Sequence, residues 1–122
     1  MFGRIFAGDG EIVRPNGVGV VGPADIARSH GVSFARFDGT QHLVTGHDVE
    51  IDGDSAVVRA DLVAIHLWKG MPVGASMRER SFTAGGVVTA NLVRTLDGWR
   101  IRELRNRIVW RTGHFGNMIE TR

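Results

Sequence analysis

The sequence predicts an α+β domain in which a bent antiparallel sheet wraps a concavity. Four long segments rich in β-branched residues, His42–Ile51, Ala56–Trp68, Phe82–Thr95 and Trp99–Arg111, supply the sheet. Turn chemistry joins them in pairs, with Asp52-Gly53-Asp54 between the first two and Leu96-Asp97-Gly98 between the last two. Apolar alternation changes phase near Gly46 and again near Glu103; such changes mark bulges, and bulges bend a sheet.

Taken in order, Met1–Ala7 is a short amphipathic segment with Phe2, Ile5 and Phe6 apolar, and Gly8-Asp9-Gly10 stops any helix there. Glu11–Arg14 reads as a short strand ended by the turn Pro15-Asn16-Gly17, with Val18–Val21 returning beside it. Gly22-Pro23 opens a short helix, because proline suits a first helical turn. Ile26 and His30 share one face of it and Gly31 ends it, which makes His30 a cap favoured by the helix dipole. Phe34 and Phe37, three apart, predict a further helical turn within Ser33–Thr40 before Asp38-Gly39 releases the chain into the first hairpin.

The glycines, proline and charges of Lys69–Arg80 give it loop composition. Along the third long strand Phe82, Ala84, Val88, Ala90 and Leu92 share one face, and Thr83, Val87, Thr89, Asn91 and Val93 share the other. On the fourth, Trp99 and Ile101 are odd-numbered apolar positions whereas Leu104, Ile108 and Trp110 are even, hence the bulge near Glu103. Gly113–Arg122 is a tail whose Phe115, Met118 and Ile119 are available to pack back on the domain.

At 122 residues and 43% hydrophobic content the chain makes one domain, residues 1–122, with one core. Fourteen of the fifteen cations are arginine, yet thirteen carboxylates leave a net charge of only +2, which argues against a nucleic-acid partner. Arg100, Arg102, Arg105, Arg107 and Arg111 form a stripe that reads as a solvated face or a dimer rim. Without cysteine there is no disulfide, no thiolate metal ligand and no cysteine nucleophile. No apolar run approaches the roughly 20 residues of a membrane span, and Met1–Gly10 lacks a signal-peptide core. A soluble, cytoplasmic protein with no membrane partner is the expectation.

The candidate site lies at the outer ends of the first hairpin. If Ile51 pairs with Ala56, the same register sets residue 41 or 42 opposite residue 66 and brings the imidazoles of His42 and His66 together. Parity alone sets His42 and Val44 on the face opposite Val49 and Ile51; a bulge at Gly46 returns them to it. Two imidazoles that titrate near neutrality in a drained pocket can act as base and acid in an elimination or isomerisation. The bland alternative is two strand histidines satisfied by backbone or water. A metal would need a third ligand, and parity does not set Asp48 or Asp61 beside both histidines, so no metal is expected. Thr89 and Asn91 share a face and can orient a substrate oxygen, while Trp68 and Trp110 can wall the pocket or serve as core. His47 and His114 have no evident partner.

The succession Thr40-Gln41-His42, Asp52-Gly53-Asp54, His66, and Asp97-Gly98-Trp99-Arg100-Ile101 with Trp110 resembles the SnoaL-like branch of the nuclear-transport-factor-2-like (NTF2-like) superfamily, over about Phe6 to Gly113. The resemblance implies a cone of curved antiparallel sheet and three helices around a pocket. The family's first helices, which carry an aspartate paired with a histidine, would lie before Phe6, where there is no sequence to hold them; the expectation is a late start or an open cone with those helices absent. Within the superfamily the site pattern resembles scytalone dehydratase: Thr40-Gln41-His42, a second histidine at His66, and Thr89-Ala90-Asn91-Leu92 in place of Ser-Ala-Asn-Leu. It implies proton transfer by His42 and His66 and substrate positioning by Thr89 and Asn91; Val44, Trp68 and Trp110 are the further residues expected around the substrate, and no metal or organic cofactor is expected. The chain departs from that pattern in having no tyrosine, which removes tyrosine-held water as a means of polarising a carbonyl. The implied functions are a dehydratase- or isomerase-like enzyme acting on a small apolar or aromatic molecule, or a non-catalytic ligand-binding or dimerisation module of the same fold. The resemblance also implies a homodimer paired through the exposed face of the sheet.

Overall fold

A computed structural model of the protein describes residues 4–115; Phe2, Met118 and Ile119 lie outside them. The elements run β1 (Phe6–Val13), β2 (Gly19–Val21), α1 (Pro23–Phe34), β3 (Phe37–Asp52), β4 (Ser55–Trp68), α2 (Met77–Arg80), β5 (Ser81–Thr95) and β6 (Gly98–Gly113). The six strands form one curved sheet in the order β2-β1-β6-β5-β4-β3, so the four long strands are neighbours as the two hairpins require. The sheet is mixed rather than wholly antiparallel, because β1 lies parallel to β6.

The first strand differs from expectation. Gly8-Asp9-Gly10 does not end an element; β1 runs through it, and with Phe6 opposite Ile101 and Glu11 opposite Glu103 the intervening residues bulge out. Gly10 sits so close to the Ala7 and Ile101 carbonyl oxygens that a Cβ there would meet both at 2.9 Å, which is the reason for glycine at this position. Helix α1 also runs on past Gly31 to Phe34, and β3 starts at Phe37, so there is no second helical turn over Ser33–Thr40 and His30 is an interior helical residue rather than a cap. Within the loop Lys69–Arg80, Ser76 caps the start of α2: its hydroxyl accepts from the Glu79 amide at 3.2 Å and donates to the Glu79 carboxylate at 3.0 Å.

The two turns are tight. Asp52 pairs with Ser55 and Thr95 with Gly98, each across a two-residue loop, with Gly53 supplying φ +60° in the first. Both expected bulges form. Thr45 pairs with Asp61 but Asp48 with Arg59, so Gly46 (φ +65°) and His47 together face one residue of β4. On β6, Ile101 pairs with Leu92 but Glu103 with Asn91, which makes Arg102 the extra residue.

One face of the sheet, here the inner face, carries the buried Ala56, Ala60 and Ala64 of β4 and receives α1. Ile26, fully buried, locks the helix there against Phe6 and Ile12, with Val20, Ile101 and Leu104 packed around them. The helix rests on β1 and β2, while Phe34 at its end reaches His42 on β3 with ring centroids 6.1 Å apart, so α1 bridges the two margins of the sheet. Phe115 folds back on Phe82 at 5.2 Å. The arginine stripe of β6 is solvated, with Arg102, Arg105, Arg107 and Arg111 exposed. Among the described residues no helix is long and apolar enough to cross a membrane.

Candidate active site

The Gly46 bulge does what the site requires. Before it, His42 pairs with Ala64 and Val44 with Leu62; after it, Val49 pairs with Val58 and Ile51 with Ala56. All four β3 residues therefore point to the inner face, with parity even before the bulge and odd after it. Thr40, rather than residue 41 or 42, is directly opposite His66, which makes the two histidines diagonal neighbours with ring centroids 5.8 Å apart.

Small side chains make room in front of them. Ala64, Ala84 and Gly86 occupy the middle of the inner face, where larger residues would fill the concavity, and an apolar cavity of about 150 Å³ opens over them between His66 and Ile108. A second lobe of about 240 Å³ reaches towards α1, bounded by His30, Phe34 and Phe37. Pro15, His42, His66 and Asn106 line both lobes and stand where they meet.

An aromatic ladder fixes the rings. His66 stacks on Phe82 at 4.0 Å and an interplanar angle of 10°, and Phe37 tilts against both at 5.0 and 5.8 Å. Phe82 is only 2% exposed, so this wall is rigid. On the other side His30, held to its own helix through Nδ1 and the Ile26 carbonyl at 3.3 Å, meets Phe34 edge-on, and Phe34 meets His42 in the same way. His42 belongs to an exposed edge strand, but its ring is turned in between Phe34 and His66. Burial of that ring holds its pKa below the ordinary 6.5, and the nearby His30 charge pushes in the same direction. His42 is thus biased towards the neutral form, which can accept a proton. Among the described residues no three histidine, aspartate or glutamate side chains converge as metal ligands.

The remaining expected site residues divide. Val44 follows His42 on the inner face opposite Leu62, but it is 48% exposed and lines neither lobe. Trp68 is on the inner face but behind the cavity: it packs on Phe37 at 4.8 Å and Phe82 at 5.5 Å, and its Nε1 donates to the His114 carbonyl at 2.7 Å. Thr89 and Asn91 do not join the histidines. The β4–β5 register is unbroken from Ser55–Val93 to Leu67–Ser81, so His66 shares its face with Phe82 and the even residues of β5, while Thr89, opposite Arg59, and Asn91, opposite Val57, point outwards. Trp110 also points outwards. A further bulge between the pairs Gly86–Ile108 and Gly85–Trp110 reverses the parity of β6, and the Trp110 indole lies over Gly85 in the space a Cβ would take.

Sequence reasoning passed over Asn106, Phe82 and Ile108 as site residues. Asn106 interrupts the even-numbered apolar phase of Leu104 and Ile108, and a polar side chain in such a phase is a signal in itself. The Gly85-Gly86 pair in mid-strand signalled the close approach of β6.

A curved sheet closed by a helix over a histidine-bearing pocket is the NTF2-like arrangement, and known proteins agree. Residues 1–105 match the SnoaL-like domain family, and the chain belongs to it. No curated protein matches the chain in sequence. Among solved structures it is similar to the Kfla4162 protein of Kribbella flavida, with 27% identity and a TM-score of 0.79 over 88% of this chain and 74% of that one. It is also similar to a candidate scytalone dehydratase of Novosphingobium aromaticivorans, with 18% identity and a TM-score of 0.76 over 92% and 71% of the two chains. The hexachlorocyclohexane dehydrochlorinase LinA-type3 of Novosphingobium barchaimii has 18% identity and a TM-score of 0.74 over 92% and 73%. At these last two identities the likeness is one of fold.

Proposed function

We propose that the protein is a small-molecule enzyme that transfers protons without metal or organic cofactor, as a dehydratase or isomerase acting on an apolar or aromatic substrate. The observation that carries this is the pair of imidazoles 5.8 Å apart where two lobes of an apolar cavity meet, one of them biased towards the neutral form. Neutral His42 takes a proton from a substrate carbon. His66 returns a proton, either to a departing hydroxyl, which leaves as water, or to another carbon of the same molecule. The dehydratase and dehydrochlorinase among the structures of similar fold support elimination chemistry for such a pocket.

A second reading, a ligand-binding or dimerisation module, is favoured by two observations: the chain has no tyrosine to polarise a carbonyl, and what perturbs His42 is burial and His30 rather than a carboxylate. Proton transfer separates the two. With 1-tetralone as carbon-acid probe in heavy water, wild-type protein should speed deuterium uptake beside the carbonyl, and His42→Gln and His66→Gln should each remove the acceleration while remaining folded. No acceleration by wild type over buffer leaves the binding module as the reading.

We also infer a homodimer through the outer face, where Leu43, Val63 and the Trp110 indole over Gly85 form one apolar row across β3, β4, β5 and β6. Leu43 is 50% exposed and Trp110 48%, which is much apolar area for a face left in water. Sedimentation velocity on wild type should give a dimer and on Leu43→Asp a monomer; a wild-type monomer at tens of micromolar refutes the inference.

A further inference from the structure

Asn106 is the polar side chain that stands between Leu104 and Ile108 in the apolar phase of β6 facing the cavity. It pairs with Val88, an inner-face position, and lines both lobes together with His42 and His66. Its Oδ1 is shielded from water and accepts no hydrogen bond from the described residues. A buried carboxamide oxygen without a donor is costly, and leucine of nearly the same shape would fill this place without that cost. An acceptor kept at such a position suits a ligand that brings the donor.

We propose that Asn106 is the specificity-determining residue of the pocket: its Oδ1 accepts a hydrogen bond from a hydroxyl on the ligand and so selects hydroxylated, phenol- or enol-like apolar molecules over their ethers and hydrocarbons. This rests on the reading of the cavity as a substrate pocket and adds the substrate class. The carboxamide is neutral, so the selection is for a donor and not for an anion; Asn106 holds the ring in place from β6 while His42 and His66, on β3 and β4 across the intervening β5, meet the reacting carbon. A site built around such an acceptor rejects the analogue that lacks the hydroxyl, because that analogue leaves the oxygen orphaned.

The test compares 2-naphthol with 2-methoxynaphthalene by calorimetric or fluorescence titration of wild type and Asn106→Leu, with thermal unfolding of both unliganded proteins. Wild type should prefer 2-naphthol by roughly fivefold to tenfold, the worth of one neutral hydrogen bond. Asn106→Leu should lose that preference, bind the ether at least as well as wild type, and unfold at the wild-type temperature or above it. A preference retained in Asn106→Leu overturns the proposal. So does an unfolding temperature several degrees lower, which would make the carboxamide a structural group satisfied within the fold. A wild-type protein that binds neither probe overturns the substrate class, and the deuterium uptake into 1-tetralone then decides independently whether proton transfer stands.

Discussion

Truncating Phe82 tests how the histidine wall is held. The side chain is 2% exposed and its ring meets Phe37, His66, Trp68 and Phe115 at centroid distances of 5.8, 4.0, 5.5 and 5.2 Å. An aromatic side chain of this kind removes about 150–250 Å² from water, worth about 4–6 kcal/mol at 25 cal/mol per Å². Measured truncations of buried phenylalanine cost about 3–5 kcal/mol, in agreement. Domains of this size have a total stability of about 5–15 kcal/mol, so Phe82→Ala should bring the chain close to unfolding and lower Tm by roughly 10–20 °C. Phe82→Leu keeps most of the volume and should cost about 1–2 kcal/mol. Equilibrium urea unfolding followed by circular dichroism gives both values. The parallel stack also shields the His66 ring protons, so in Phe82→Leu their NMR resonances should move downfield. A loss below about 1 kcal/mol for Phe82→Ala, or unmoved His66 resonances in Phe82→Leu, would refute the packing described for this wall.

Gly46→Ala forces a left-handed conformation (φ +65°) on a residue with a Cβ, and it should cost about 1–2 kcal/mol in urea unfolding; no loss would mean the bulge sits elsewhere. Gly85→Ala should displace the Trp110 indole from its seat and red-shift the tryptophan emission, a shift that should vanish in a Trp110→Phe background. The depressed pKa of His42 gives stability a pH dependence of known sign. Below pH 6.5 the unfolded chain takes up a proton that the folded chain refuses, so this contribution is complete above 6.5 and is lost as pH falls from there towards the depressed folded value. The urea midpoint of wild type should therefore fall more steeply below pH 6.5 than that of His42→Gln; equal slopes would contradict the burial of the ring.

Local signals in the sequence were enough for the hairpins, because turn chemistry fixes register over short distances: Ile51 faces Ala56 as the Asp52-Gly53-Asp54 turn requires. The same holds for the Gly46 bulge, which parity demanded once Val49 and Ile51 were assigned to the face of His42. What sequence could not give was register between elements far apart in the chain. The third strand was sorted correctly into two sets, but which set shares a face with His66 depends on how β5 meets β4 across the long connection Lys69–Arg80, and no turn fixes that. For want of this one register, sequence alone leaves Thr89 and Asn91 as pocket candidates. The parallel pairing of β1 with β6 is non-local in the same way. Trp110 was different: the reversal of parity before it was written in Gly85-Gly86, on the neighbouring strand rather than its own.

The measurement that bears most directly on the base of this pocket is an NMR titration of the His42 ring protons in wild type and His30→Gln. His42 should titrate below 6.5 in wild type and move upwards when His30 is replaced. A His42 midpoint at 6.5, unmoved by the substitution, would contradict a desolvated ring beside His30 and with it the base assigned to this pocket.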